Sequence, residues 1–235
     1  MSFTLDTVVP WGRSYEEYVS MFSLDGRDLR SSIIGCADGP SGFNAELTGR
    51  GGKIISVDPV YRFTKEEISK RIGETYEEIL AQTLKNKHEF VWTGIRSVDE
   101  LGRTRMSAMR AFLSDFENGL REGRYLAESL PSLSFADGQY ALALCSHFLF
   151  LYSDQLSLAF HIAAISEMCR VAREVRIFPL LKLGAEPSPY VEPVVRTVTD
   201  KGFRAEIIRV DYEFQRGGNM MLRIRRPDVV KWQDR

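Results

Sequence analysis

The sequence of 235 residues has few of the features that mark secreted, metal-binding or membrane proteins. Its three cysteines, Cys36, Cys145 and Cys169, are an odd number without CxxC spacing, which argues against a disulfide framework or a zinc site. The most apolar run, residues 141–152, is too short to span a bilayer and contains a histidine. The first six residues lack the basic and apolar regions of a secretion signal. These absences predict a cytoplasmic protein with reduced thiols, no bound metal and no contact with a membrane.

An excess of charge of either sign is also missing. Thirty-one basic and thirty-two acidic residues give a formal net charge of −1, so nothing in the overall charge favours binding to nucleic acid or to an anionic membrane. The chain contains no internal repeat or low-complexity segment, and its length suits one α/β domain with a large core. Composition therefore predicts a single domain over residues 1–235 that acts on small molecules. It leaves the oligomeric state open.

The chain is organised around a glycine-rich turn between two buried strands. The first strand ends near Ile34, and a turn that contains Gly35, Gly39 and Gly42 leads into a short helix. A second apolar strand follows and ends at Asp58, nineteen positions after Gly39. In a doubly wound sheet this spacing places the carboxylate where it can accept hydrogen bonds from both hydroxyls of a ribose over the turn. The pattern predicts a nucleoside-containing ligand.

Two stretches carry a resemblance to a known family. Residues 33–39 (Ile-Ile-Gly-Cys-Ala-Asp-Gly) are similar to the first motif of the class I S-adenosylmethionine-dependent methyltransferases, a hydrophobic pair followed by G-C-G-x-G. Ala37 stands in place of the middle glycine, and Ile33 stands where many members have an acid. Residues 133–140 resemble the apolar triplet and D-G-x-F/Y sequence that precede strand four of the family. The resemblance extends over about residues 29–225.

The resemblance implies a doubly wound α/β fold. The sheet implied by the resemblance is mostly parallel, has seven strands in the order 3-2-1-4-5-7-6, and ends in an antiparallel hairpin. Two strand-like runs after residue 203 also favour this hairpin. Residues 60–123 have the periodicity of two long helices and are predicted to form a lid inserted in the domain. Ser14 and Glu17 form a capping-box pair that predicts a helix within an N-terminal cover, residues 1–28. That helix either packs in the core or closes over the ligand.

The resemblance also implies the site. The cofactor would be S-adenosylmethionine, the product S-adenosylhomocysteine, and the cofactor contacts Gly35, Cys36, Ala37, Asp38, Gly39, Asp58, Pro59, Glu128, Ser129, Leu130, Cys145 and Ser146. The residues expected to face the methyl acceptor are His147, Tyr152 and Asp154. His147 is the candidate general base because imidazole titrates near neutral pH, and equally a residue that only lines the pocket, because methyl transfer often needs no base. Further substrate contacts are expected from the aromatic and cationic residues Trp11, Tyr15, Arg103 and Arg110.

These features predict a methyltransferase that acts by in-line displacement on a small-molecule acceptor, without specifying whether the methyl group goes to O, N, C or S. Two other readings stay open. A methyltransferase-like protein that binds the cofactor without turnover would explain the departures at Ile33 and Ala37. A nicotinamide-dependent oxidoreductase would share the glycine turn and Asp58, but its fold usually continues with βα units rather than a hairpin.

Overall fold

The computed structural model describes residues 9–227, in which seven strands form one sheet of order β3-β2-β1-β4-β5-β7-β6. The strands are β1 (Ser32–Cys36), β2 (Lys53–Val57), β3 (Tyr125–Leu126), β4 (Tyr140–Ser146), β5 (Ala172–Phe178), β6 (Arg204–Arg209) and β7 (Met220–Arg225). The helices are α1 (Tyr15–Met21), α2 (Phe43–Gly49), α3 (Lys65–Lys85), α4 (Val98–Arg121), α5 (Leu158–Val171) and α6 (Val191–Asp200). The predicted fold class and strand order are confirmed.

The centre of the sheet is parallel and buried. β1 lies between β2 and β4, with Ile34 opposite Ile55 on one side and Ala143 on the other. Helices cover both faces of such a sheet, so its central strands are apolar nearly throughout, as β1 and β4 are. Because parallel strands share one carboxyl edge, the ends of β1, β2 and β4 lie side by side. This edge is where a doubly wound fold binds its ligands.

Within residues 9–227, the last strand, β7, pairs in the antiparallel sense with both of its neighbours. β7 lies between β5 and β6, and Leu222 on β7 is opposite Ile177 on one neighbour and Ile207 on the other. Leu222 is fully buried, whereas Ile207 on the edge strand is 49% exposed. The apolar core therefore ends at β7, and β6 is its outer edge.

Two helices begin at capping boxes, of which the one at Ser14 was predicted from sequence. The Ser14 side chain accepts a hydrogen bond from the Glu17 N–H, while the Glu17 carboxylate accepts one from the Ser14 N–H at 2.9 Å. Thr64 and Glu67 make the same reciprocal pair at the start of α3. Each pair satisfies two backbone groups that a helix end otherwise leaves without partners. Local sequence therefore fixes where both helices start.

The predicted lid consists of α3 and α4, which follow β2 and precede β3. Their inner faces pack around Tyr61 and Tyr125 in a cluster with Ile68, Ile72, Met109, Phe112 and Phe116. The connection between the helices is tied to the loop before β7: the Val91 N–H donates to the Phe214 carbonyl at 2.7 Å, and the Arg216 N–H donates to the Glu89 carbonyl at 2.8 Å. We call this pairing of residues 88–91 with residues 214–216 the latch.

The third strand of the sheet is very short. Only Tyr125–Leu126 pairs with β2. The chain then turns away from the sheet, and the Glu128 carboxylate accepts hydrogen bonds from the N–H and hydroxyl of Ser134. This local turn replaces strand pairing.

Parts of the predicted N-terminal cover (residues 1–8) and of the basic tail (residues 228–235) lie outside the described residues. Within residues 9–227, none of the helices has the length and hydrophobicity needed to cross a membrane.

Candidate functional site

A cavity of about 450 Å³ opens at the carboxyl ends of β1, β2 and β4. This volume falls within the range of roughly 300–1,000 Å³ that is typical of small-molecule sites. Aromatic and aliphatic side chains form much of the wall. They come from the N-terminal segment, from α3 and α4 with the residues before each of these helices, and from the loops after β3, β4 and β5 and before β7: Val9, Trp11, Phe63, Ile79, Phe90, Leu101, Leu130, Phe148, Leu151, Tyr152, Leu183 and Phe214. The cavity is therefore enclosed by the lid and the hairpin as well as by the sheet.

The glycine turn forms one wall of the cavity. Gly39 has φ +55°, and Ala37 adopts φ +53°, a left-handed conformation that disfavours any residue with a Cβ. The glycine of the methyltransferase motif that Ala37 replaces would adopt this conformation without strain. At Gly35, a Cβ would lie 2.4 Å from an oxygen of Asp38, so this position has no room for a side chain.

The carboxylate of Asp38 is turned into the protein. It accepts hydrogen bonds from the hydroxyls of Tyr18 and Ser56, and burial raises its pKa. These contacts fix the turn against α1 and β2. Asp38 therefore holds in place the turn that forms this wall, and part of Asp38 itself lines the cavity.

Asp58 faces the glycine turn from the end of β2. One carboxylate oxygen accepts the Gly39 N–H at 3.0 Å, and the other accepts the Val60 N–H at 2.8 Å. Burial raises the pKa of Asp58 to about 6, and the two N–H donors lower it by less. Each oxygen accepts one of these hydrogen bonds and has a second lone pair, so the ionised group, which lines the cavity, has the capacity to accept two further hydrogen bonds.

His147 follows the end of β4 and also lines the cavity. It has φ +51°, its N–H donates to the Phe178 carbonyl at 2.7 Å, and its Nδ1 lies 2.9 Å from the Ser146 hydroxyl. Burial, followed by the positive charges of Arg13 and Arg105, lowers the pKa of His147 well below its usual value. The imidazole is therefore neutral near pH 7, and it can form a hydrogen bond with a ligand rather than carry a stable charge.

Two arginines lie together beside the cavity. Arg105 on α4 is fully buried, forms an ion pair with Glu17 of α1, and donates to the Tyr212 hydroxyl at 3.4 Å. Tyr212 in turn donates to Glu17 at 2.7 Å. Arg13 also lines the cavity, and its guanidinium donates to the Trp11 carbonyl. This group connects the lid, the first helix and the hairpin.

Most residues predicted to bind the cofactor come together around the cavity. The predicted residues that line it are Trp11, Ala37, Asp38, Gly39, Asp58, Pro59, Ser129, Leu130, Ser146, His147 and Tyr152. Cys36 and Cys145 are buried in the core between the sheet and its helices, and Gly35 is buried at the end of β1. Glu128 bonds to Ser134 instead of reaching the cavity.

The remaining predicted acceptor contacts lie elsewhere. Tyr15 stacks on Phe43 at 5.5 Å, and Arg103 borders a separate shallow groove on the outside of α4. Arg110 is exposed on the same helix and does not line the cavity. The side chain of Asp154 is 62% exposed and pairs with Lys182 at 3.4 Å. Of the residues predicted to face the acceptor, His147, Tyr152 and Trp11 line the cavity.

Several cavity residues were not predicted. Arg13 precedes the helix cap, and Phe90, Phe214 and Gln215 belong to the latch. None of them stands in a motif, because packing between distant parts of the chain brings them to the site. Among residues 9–227, no group of three or more His, Cys, Asp and Glu side chains is arranged to hold a metal ion.

Comparison with known proteins places the chain among its relatives. It is 35% identical over 223 residues to the uncharacterized protein MJ0045 of Methanocaldococcus jannaschii, a match that covers 94% of this chain and 97% of that protein. The chain belongs to the MJ0045 family. No protein-family model matches it.

Solved structures similar to this member of the MJ0045 family are more distant. Magnesium protoporphyrin IX methyltransferase from Synechocystis PCC 6803, with bound SAM, is 12% identical with a TM-score of 0.48, covering 91% of this chain and 78% of that one. The PH0226 protein of Pyrococcus horikoshii OT3 is 10% identical with a TM-score of 0.47, covering 91% of each chain. Because these identities are low, the fold assignment rests on the strand order of this chain and not on its similarity to these structures.

Proposed function

We propose that this member of the MJ0045 family is a methyltransferase that uses S-adenosylmethionine and acts on a small-molecule acceptor. The observation that carries the proposal is the position of Asp58. Asp58 follows directly after β2, and its carboxylate accepts a hydrogen bond from the Gly39 N–H of the glycine turn. It lines a cavity at the edge where doubly wound sheets bind ligands. A carboxylate at this point suits the two hydroxyls of a ribose.

The residues around Asp58 fit an adenosyl cofactor. A Cβ on Gly39 would lie 3.9 Å from an Asp58 oxygen, so the missing side chain leaves space between the carboxylate and the turn. Gly39 and the backbone after it would hold the amino-acid end of the cofactor, and Asp58 its ribose. Ser129 and Leu130 would contact the adenine, without help from Glu128.

The protein would act mainly by positioning the cofactor and the methyl acceptor, and not by supplying a strong acid or base to the reaction. Bound S-adenosylmethionine supplies a methyl group activated by its sulfonium charge, and S-adenosylhomocysteine is the product. Tyr152 and His147 would border the acceptor, and the neutral imidazole could accept a hydrogen bond from an acceptor O–H or N–H. The latch ties the lid to the loop before β7 beside the cavity, where it would limit the access of water to the bound molecules. Such positioning can lower a barrier by roughly 7–11 kcal/mol in well-oriented intramolecular reactions.

Calorimetric titration with S-adenosylmethionine, S-adenosylhomocysteine and NAD tests the proposal. We expect both adenosyl compounds to bind and NAD not to bind. Asp58→Ala should weaken binding at least about tenfold, because two hydrogen bonds to a charged group are lost. Glu128→Ala is the matched control: this acid stands in the predicted adenine region, but it bonds to Ser134, so binding should be unchanged.

Incubation with S-adenosylmethionine labelled on its methyl group and a small-molecule extract then tests turnover. Labelled product in the wild-type reaction, and none in the Asp58→Ala reaction, would support the proposal that the protein is a methyltransferase. Binding of the cofactor without any transfer would indicate a binding protein, and binding of NAD alone would exclude the proposal.

A further inference from the structure

The two arginines beside the cavity have unused hydrogen-bonding capacity. Among residues 9–227, the buried side-chain nitrogen and oxygen atoms without a hydrogen-bond partner are Arg13 Nε and Arg105 Nε. The Arg105 side chain is completely inaccessible, and both residues line the cavity. Buried polar atoms are nearly always satisfied, so two unsatisfied guanidinium nitrogens at one place indicate a missing partner.

The charge around these arginines points to an anion. Glu17 is the carboxylate that pairs with Arg105, and it is also the acceptor of the Tyr212 hydroxyl. Arg13 donates to a backbone carbonyl, which carries no full charge. Among residues 9–227, Arg105 therefore forms an ion pair with Glu17, whereas no carboxylate lies within ion-pair distance of the Arg13 guanidinium.

Asp38 and Asp58, the two acids in and beside the glycine turn, do not supply a negative charge to Arg13. Asp38 accepts hydrogen bonds from Tyr18 and Ser56, and Asp58 accepts from backbone N–H groups. The positive charges of Arg13 and Arg105 act on His147, whereas the pKa of Asp58 is set by burial, two N–H groups and Asp38. The arginines thus belong to the His147 side of the cavity.

Aromatic side chains surround the same side. The Arg105 guanidinium carbon lies 6.0 Å from the centre of the Phe214 ring. Trp11, whose carbonyl accepts from Arg13, packs its ring 6.0 Å from Tyr76 and borders the cavity with Phe148. An apolar wall next to a pair of guanidinium groups suits a molecule with a flat apolar body and an acidic end.

We propose that Arg13, with the neighbouring charge of the inaccessible Arg105, forms a carboxylate subsite, and that the methyl acceptor is an aromatic or similarly apolar molecule bearing a carboxylate. The planar guanidinium groups match a carboxylate in geometry as well as in charge. This assignment rests on the proposed methyltransferase function, because it places the acceptor beside His147. The exposed Arg103 and Arg110, which were expected from sequence to contact the substrate, take no part in this subsite.

Matched ligand pairs test the subsite. Binding of benzoate, indole-3-acetate and 1-naphthoate is compared with binding of the corresponding neutral amides, with and without saturating S-adenosylhomocysteine. We expect the wild-type complex to bind at least one acid about tenfold more tightly than its amide, the size of one charge-assisted interaction. Arg13→Gln should remove most of this preference. Arg103→Gln, which alters an exposed arginine of α4, should retain it.

Arg105→Gln alone leaves Glu17 buried without its partner and can prevent folding. The double variant Glu17→Gln/Arg105→Gln removes both charges together, and its folding is checked by circular dichroism. In this variant the preference for acids should also fall. A preference retained in both Arg13→Gln and the double variant would overturn the subsite.

Two further outcomes would also overturn the assignment. Equal binding of acid and amide in all three pairs would show that the arginines do not select an anion. If Arg13→Gln weakens S-adenosylhomocysteine itself about tenfold and the acids compete with it, the arginines hold the carboxylate of the cofactor instead. Failure of the proposed function looks different: the wild type would not bind S-adenosylhomocysteine, whereas its preference for acids in the absence of that compound would remain.

Discussion

Binding of S-adenosylhomocysteine should weaken in mild acid because of Asp58. Burial raises the pKa of this carboxyl to about 6 in the free protein, and only the ionised form can accept hydrogen bonds from two ribose hydroxyls through both oxygens. If the charged form alone binds, the apparent dissociation constant is multiplied by 1 + 10^(pKa − pH). The factor is about 1.1 at pH 7 and about 11 at pH 5, a tenfold loss that corresponds to about 1.4 kcal/mol.

The same coupling predicts a release of protons on binding. At pH 5 the free carboxyl is about nine-tenths protonated, so binding should release close to one proton, and at pH 6 about half a proton. Calorimetric titrations in two buffers with different ionisation enthalpies measure this number directly. His147 should not contribute, because its pKa lies well below the usual value.

Asp58→Asn is the control variant. Asparagine keeps the shape of the side chain but does not titrate, so its weaker binding should be nearly independent of pH between 5 and 7. An affinity of the wild type that is constant over this range, with no proton release, would refute the role of Asp58. The same pH dependence in wild type and Asp58→Asn would assign the effect to another group, such as Asp38.

Three further predictions concern stability and the lid. Gly35→Ala should lower the free energy of unfolding by about 1–3 kcal/mol in denaturant titrations, because the new Cβ overlaps the Asp38 carboxylate, whereas Gly49→Ala, with open space around it, should not lower it. Ala37→Gly should raise stability by up to about 1 kcal/mol in the same assay by relieving the left-handed backbone; a clear loss would contradict this account. Arg216→Ala removes two hydrogen bonds of the latch, and amide exchange over residues 88–91 should accelerate a few-fold with little change in global unfolding.

Local signals in the sequence were sufficient for the framework of the fold. The spacing from Gly39 to Asp58 predicted a carboxylate placed to hold a ribose over the turn. The carboxylate does lie beside the turn, 3.0 Å from the Gly39 nitrogen, and its contact with a ribose stays a prediction. The Ser14 capping box and the apolar run of β4 predicted a helix start and a central strand. Each of these patterns depends on residues close in sequence, so they could be recognised without knowledge of the tertiary structure.

The arginines show where such reasoning ends. Arg103 and Arg110 are seven residues apart and share one face of α4, and that face is exposed. Arg105 lies two residues from Arg103, on the opposite face of the helix, and is buried. The helical phase could have separated them, since Leu101, Ala108 and Phe112 mark the buried side. Arg13 gives no such signal, because only packing against α4 and the hairpin loop defines its surroundings.

The position of β7 has a consequence for synthesis of the chain. Among the strands of residues 9–227, β7 is the last to leave the ribosome, yet it pairs with both β5 and β6, and its preceding loop supplies Phe214 and Gln215 to the cavity. A nascent chain that ends before Met220 can form the parallel strands but lacks the strand that anchors this loop. The ligand site is therefore completed only after β7 has been synthesised, and a chain truncated within the hairpin would have a largely parallel sheet with an open site.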